Sequence, residues 1–321
     1  MSIESSSLKF SGHQTFPLRY GWIYKIIQEI LNGTSISSTN TVEDQMISMG
    51  VGKNMVLSIR HWIKTIGLVT DSDSEGCDVE LTPLAQALFV TEGKRRAFDE
   101  FIDKIGTVWI LHWLAQTIPT SHAELNTPRW FFNYFNGVRT DKQQLARDIN
   151  LSLAHHDKEL NEATLKKDID CFYQTYTLRQ TASGKSNEDT FVSPFTELGL
   201  LTQLDTKHYI SDLSDRKSLP DEIFVYALID YIQKKQSDKE NNVISKEFTF
   251  SFENLLKGIG SPGRVFRLSS TGLSEKLDAA EKITGGKLAW TDTQGLRQLQ
   301  NHFDDIHAVD PIAYLETYYQ R

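Results

Sequence analysis

The sequence is poor in cysteine. Its two thiols, Cys77 and Cys171, exclude a disulfide scaffold and a cysteine-based zinc site. They fit a reducing compartment. Positive charge is also in deficit: 34 Lys and Arg stand against 42 Asp and Glu, a net charge of −8. That balance argues, on its face, against a nucleic-acid partner. Long apolar runs are missing. The longest, residues 108–115, contains His112 and is too short to span a bilayer. The first residues show no basic and apolar leader pattern, so a cytoplasmic protein with no membrane partner is expected. Eight prolines and 19 glycines exclude collagen-like and low-complexity structure.

Familiar catalytic signatures are missing too. The run GVGKN at residues 50–54 has a Gly-Lys pair but lacks the upstream glycine and the following Ser or Thr of a Walker A loop. There is no G-x-G-x-x-G and no G-x-S-x-G. Asp230, Gln233 and Lys235 have nuclease-like types, but their spacing places them on a helix. His302 and His307 lie five apart, so on a helix their imidazoles diverge, and no third metal ligand accompanies them. The His155-His156-Asp157 run reads as a solvated loop.

What is present is a soluble-protein composition: 321 residues, 39% hydrophobic, with 6 Trp, 17 Phe and 11 Tyr to build sizeable cores. Apolar spacing predicts helices over 22–31, 43–49 and 53–66, followed by a hairpin of 68–70 with 79–81. Val56, Ile59, Ile63 and Ile66 form one face of the third helix. Lys53, Arg60, His61 and Lys64 form the other. Helix, turn, helix, hairpin is the order of a winged helix-turn-helix, whose second helix enters the major groove. From Gln45 to Thr70 there is no acidic residue. The hairpin tip, with Asp71, Asp73, Glu75 and Asp78, is acidic and would be repelled by phosphate.

The same order recurs over 142–210 and 252–291. The second repeat carries Lys257, Arg264, Arg267, Lys276, Lys282 and Lys287 against Glu275, Asp278 and Glu281. The expected fold is therefore mainly α with small β-hairpins (α+β), in tandem winged helix-turn-helix-like modules. The expected divisions are 1–138, 139–235 and 243–321. Lys53, Asn54, Arg60, His61, Lys64, Arg264 and Arg267 are the expected DNA-binding residues.

Four further side chains stand out near the first basic unit. His13 is able to exchange a proton near neutral pH. Arg19 is suited to clamping a phosphate. Glu43 and Asp44 have the chemistry to hold a divalent cation, magnesium or manganese. The structural alternative is a hydrogen-bonded core His13, an ion-paired Arg19, and a Glu43 that complements a helix N-terminus.

The segments FSGHQTFPLRYGW (10–22), MGVGKNMV (49–56) and LHW (111–113) resemble the hallmarks of a bacterial family first catalogued as a domain of unknown function. SPFTELG (193–199), SPGR (261–264) and TDTQG (291–295) resemble it too. It includes the SspB-type DNA nickases of single-stranded DNA phosphorothioation, an antiphage system. The resemblance implies a protein that nicks one strand of double-stranded DNA so that sulfur can replace a phosphate oxygen. It implies a cysteine desulfurase, an ATP-pyrophosphatase-type sulfur-activating enzyme and an ATPase as partners. A homodimer is compatible with it. The other readings are a non-catalytic DNA-binding adaptor and a transcriptional regulator.

Overall fold

The computed structural model describes residues 7–72, 78–117, 124–154, 160–177, 193–237, 248–293 and 295–321. Asp73, Glu75, the 155–157 run and residues 238–242 lie outside them. Among the described residues, no helix is long and apolar enough to cross a membrane. The architecture is helices with small, mostly antiparallel sheets.

β1 (Ser7–Leu8) leads through a loop to α1 (Trp22–Leu31), α2 (Val42–Met49) and α3 (Lys53–Ile66). Gly50 and Gly67 adopt left-handed backbone, φ 64° and 76°, where α2 and α3 end. β2 (Val69–Asp71) and β3 (Val79–Leu81) pair as the expected antiparallel hairpin. α4 (Pro83–Phe89) starts on Thr82, whose hydroxyl accepts from the Ala85 N–H. α5 (Ile105–Thr117) follows, buried along nearly all of its length. A helix that is apolar all round belongs in the interior, and α5 packs against α3. β4 (Glu124–Leu125) then pairs in parallel with β1, and α6 (Thr127–Tyr134) begins on an Asn126 cap.

The remainder contains one topology twice. β5 (Arg139–Asp141), α7 (Lys142–Ser152), α8 (Glu162–Tyr176), a 3-10 turn (Pro194–Leu198), β6 (Thr202–Gln203) and β7 (His208–Ile210) form the first copy. After α9 (Asp221–Gln236) come β8 (Thr249–Ser251), α10 (Phe252–Lys257), α11 (Pro262–Val265), α12 (Ser270–Ile283), β9 (Leu288–Thr293) and β10 (Leu296–Asn301). Strand order is β5-β7-β6 in one and β8-β10-β9 in the other. In each, the strand before the helices pairs with the second strand of the closing hairpin. A short α13 (Glu316–Tyr319) ends the chain and packs on α9. The 302–307 segment is not a long helix but a 3-10 turn (Ile306–Ala308), and both histidines are exposed.

The LHW residues lie in the middle of α5 and stitch the molecule together. The His112 ring bonds the Tyr176 hydroxyl through Nδ1 at 2.9 Å and the Val265 carbonyl through Nε2 at 3.0 Å. Trp113 Nε1 donates to Asp230 on α9 at 2.7 Å, and Lys234 donates to the same carboxylate oxygen at 2.7 Å. Asp230 is thus a structural acceptor. Arg129 on α6 is buried and donates to the carbonyls of Ala115, Glu124 and Thr65.

Candidate functional site

The 10–22 loop lies over α3. Phe16 turns its carbonyl to Trp62 Nε1 at 3.1 Å, and Phe10 and Leu18 bury their side chains. The backbone between is unusual: Gly12 has φ 111°, and two consecutive non-glycine residues, Gln14 and Thr15, have φ 48° and 64°. Left-handed backbone at such residues persists only where neighbours enforce it, and it concentrates at functional sites. Gly12 is required for space as well, because a Cβ there would lie 2.6 Å from His61 Nδ1.

His13 holds the loop. The Thr15 N–H donates to its Nδ1 at 2.9 Å, so in the neutral ring the proton sits on Nε2. Nε2 lies 3.1 Å from Asp168 Oδ1 on α8, at an angle too poor for a hydrogen bond. The other Asp168 oxygen accepts from the Thr127 N–H at 2.9 Å. His13 and Asp168 are both buried, at 5% exposure each. They line a cavity of about 20 Å³ with His61, Gln116 and Cys171, room for one water. Burial, and the neighbouring His13, hold the His61 pKa down near 3, so this ring is neutral. Burial pushes the Cys171 thiol up, which removes it as a nucleophile. His13 therefore ties the loop to α8, and both its ring nitrogens are turned inward. Spacing gives no signal for Asp168, which reads as part of the charged stretch Lys166-Lys167-Asp168.

The other expected residues are dispersed. Arg19 is half-buried, its guanidinium 5.2 Å from the Phe16 ring and 5.3 Å from the Trp22 ring, and burial lowers its pKa. Glu43 and Asp44 are exposed in the first turn of α2, and neither lines the cavity beside His13. As sequence neighbours on a helix their side chains diverge, and no group of three His, Cys, Asp or Glu suited to a metal occurs among the described residues. Two diverging carboxylates do not make an all-protein cation cage.

Lys53 and Asn54 are exposed at the start of α3. Its first turn has no acid and no side-chain cap. Lys64 is exposed and donates to Ser37 Oγ at 2.5 Å. Arg60, expected on a DNA face, is interior at 6% exposure. It donates to Gln45 Oε1 at 2.7 Å, the Ser38 carbonyl at 2.7 Å and Thr41 Oγ1 at 2.8 Å. Arg267 is interior too, donating to the carbonyls of Phe135, Gly137 and Ser211. Its pKa falls to about 10, chiefly through burial. Arg264 is half-buried against the Lys257 carbonyl and Asn136. Lys276 is buried against Asp221 at 2.6 Å, while α12 turns Glu275 and Asp278 to solvent. Pairing and burial thus remove Arg267 and Lys276 from the second basic patch and leave Lys282 and Lys287 exposed.

The model of a family described as a protein of unknown function, DUF4007, matches residues 10–319. A search of curated proteins gives no match. Two crystal structures of SspB share the fold. The magnesium-bound form aligns with a TM-score of 0.76 at 23% identity, over 99% of this chain and 96% of that one. A second SspB structure aligns with a TM-score of 0.72 at 23% identity, over 99% and 95%.

Proposed function

The chain belongs to the DUF4007 family, and from that premise we propose that it is the DNA-binding, strand-nicking component of a bacterial phosphorothioate modification and phage-defence system. The observation that carries this reading is the end-to-end likeness to SspB, over 99% of the chain. The N-terminal helix–hairpin unit and the two strand–helix–hairpin units act as winged-helix-like modules in the divisions 1–138, 139–235 and 243–321. Duplex DNA meets the exposed start of α3, where Lys53 and Asn54 contact phosphate through their side chains and the uncapped helix amides face the same way. Arg60 and Arg267 leave the set of DNA contacts and hold the fold instead.

Nicking is hydrolysis of one phosphodiester. A water oxygen adds to phosphorus, one ester oxygen leaves with a proton, and Arg19 and Lys53 stabilise the extra negative charge. A divalent cation, magnesium or manganese, would be held by Glu43 or Asp44 and would supply charge neutralisation at the phosphate. His13 positions the 10–22 loop that carries Arg19. The cut strand then passes to the sulfur-transfer partners: a cysteine desulfurase, an ATP-pyrophosphatase-type enzyme and an ATPase. The acidic face of α12 is free to meet them.

Supercoiled plasmid incubated with the protein and magnesium or manganese should yield open-circular product. Loss of that product in the Glu43→Ala/Asp44→Ala variant, with DNA binding retained, supports the carboxylate assignment. No open-circular product, even with the partner proteins added, overturns the nickase. The inward-turned nitrogens of His13, in a cavity that neither Glu43 nor Asp44 lines, favour a second reading. That reading is a non-catalytic adaptor, which binds DNA and recruits the sulfur enzymes without cutting.

A further inference from the structure

The sequence has one run of three consecutive cations, Lys94-Arg95-Arg96, and it lies outside both basic units. The structure puts all three on the surface, in the connection between α4 and α5. The run is held in shape. Glu92 and Arg95 exchange both backbone hydrogen bonds, 2.9 and 3.0 Å, around a tight turn whose Gly93 has φ 59°. Thr91 Oγ1 accepts from the Ala97 N–H at 3.1 Å. The chain beyond is tied to α4 by Phe98 N–H to the Ala87 carbonyl, 3.0 Å, and Asp99 N–H to the Leu88 carbonyl, 2.8 Å. The hairpin therefore presents its cations on a fixed backbone, so a contact has only their side chains to order.

Some cations elsewhere are paired with acids. Lys9 pairs with Glu124 at 2.7 Å, Lys142 with Asp170 at 2.5 Å and Lys257 with Glu253 at 2.7 Å. Within the hairpin, Arg95 approaches Glu92 at 3.7 Å, and both are exposed, a weak pair. Arg95 and Arg96 also line a groove of about 630 Å³ that holds Asp310 and Glu316. Those acids repel a phosphate chain from the groove and leave the hairpin itself as the contact.

We infer that the Lys94–Arg96 hairpin is a second contact for the phosphodiester backbone of duplex DNA, separate from the start of α3. The inference rests on the DNA-binding reading above. Arginine grips a phosphate with two parallel N–H donors, and lysine meets it as a point charge.

The test is duplex-DNA binding by the full chain, titrated over salt. Lys94→Gln/Arg96→Gln is compared with Lys166→Gln/Lys167→Gln, which removes the same charge from exposed positions on α8. The hairpin variant should bind about tenfold more weakly near 0.1 M salt, and its log–log salt slope should fall by about 2, close to 0.9 per lost contact. The α8 variant should match the unaltered protein. Equal weakening by both pairs, or no change in the hairpin variant, overturns the hairpin contact while DNA binding stands. If the unaltered chain does not bind duplex DNA, both the contact and the DNA-binding reading fall.

Discussion

At the scale of the residue, the lesson is how little a cation's position on a helix says about its exposure. Val56, Ile59, Ile63 and Ile66 define an inward face, and spacing then assigns Arg60 to solvent. The structure buries it, because α3 is covered on other sides as well. Residues 38–45 fold over Arg60 and take three of its donors. A repeat of apolar residues reports one face of a helix but not the number of neighbours the helix has. The consequence is measurable. Arg60→Ala leaves Gln45 Oε1, the Ser38 carbonyl and Thr41 Oγ1 without that donor and opens a hole, so it should cost roughly 2–4 kcal/mol in urea unfolding. The salt slope of DNA binding, measured on folded protein, should not move. A stable variant with a flattened slope would return Arg60 to the DNA face.

At the scale of the element, α5 shows its burial in its sequence but not its chemistry. Its apolar run is legible as core, and it is buried almost throughout. The polar groups inside it were not legible, because their partners come from α8, α9 and α11, distant in sequence. His112 is the sharpest case: its two ring nitrogens join α5 to α8 and α11. Burial holds its pKa near 3, well below the ordinary 6.5. A base held down in the folded state is protonated preferentially in the unfolded chain. Stability is therefore full above pH 6.5 and is lost as pH falls from 6.5 towards 3. Between pH 7 and 5 this one ring should account for about 2 kcal/mol of lost stability. His112→Gln should lower the melting temperature at pH 7, since it disturbs two buried hydrogen bonds. Its further fall between pH 7 and 5 should be shallower than in the unaltered protein. Parallel pH profiles for the two proteins would show that His112 is not the titrating group.

At the scale of the whole molecule, the order of elements was readable and the distribution of charge was not. Helix boundaries such as 22–31 and 53–66 match the apolar spacing, because short-range periodicity determines them. The repeated strand orders, β5-β7-β6 and β8-β10-β9, follow once each closing hairpin meets the strand before its helices. The candidate site depends instead on contacts across the chain. His13 meets Asp168 155 residues later, and nothing local marks that pairing. The C-terminal unit shows the same limit for charge. Its cations outnumber its acids in sequence, yet Lys276 and Arg267 are buried and Glu275 and Asp278 are exposed. Two exposed acids on α12, Glu275 and Asp278, oppose phosphate against the single exposed Lys282 there, so DNA should lie towards the N-terminal unit. Two double variants separate the possibilities. Lys53→Gln/Asn54→Ala should weaken duplex binding several-fold, because both side chains stand at the exposed start of α3, and should slow the proposed plasmid nicking by more, because Lys53 also stabilises the added charge at phosphorus. Lys282→Gln/Lys287→Gln removes two exposed C-terminal cations and should leave affinity within about twofold, the residual effect of screened long-range charge. Equal losses in the two would mean that the C-terminal unit also rests on DNA, and that the acids of α12 face away from it.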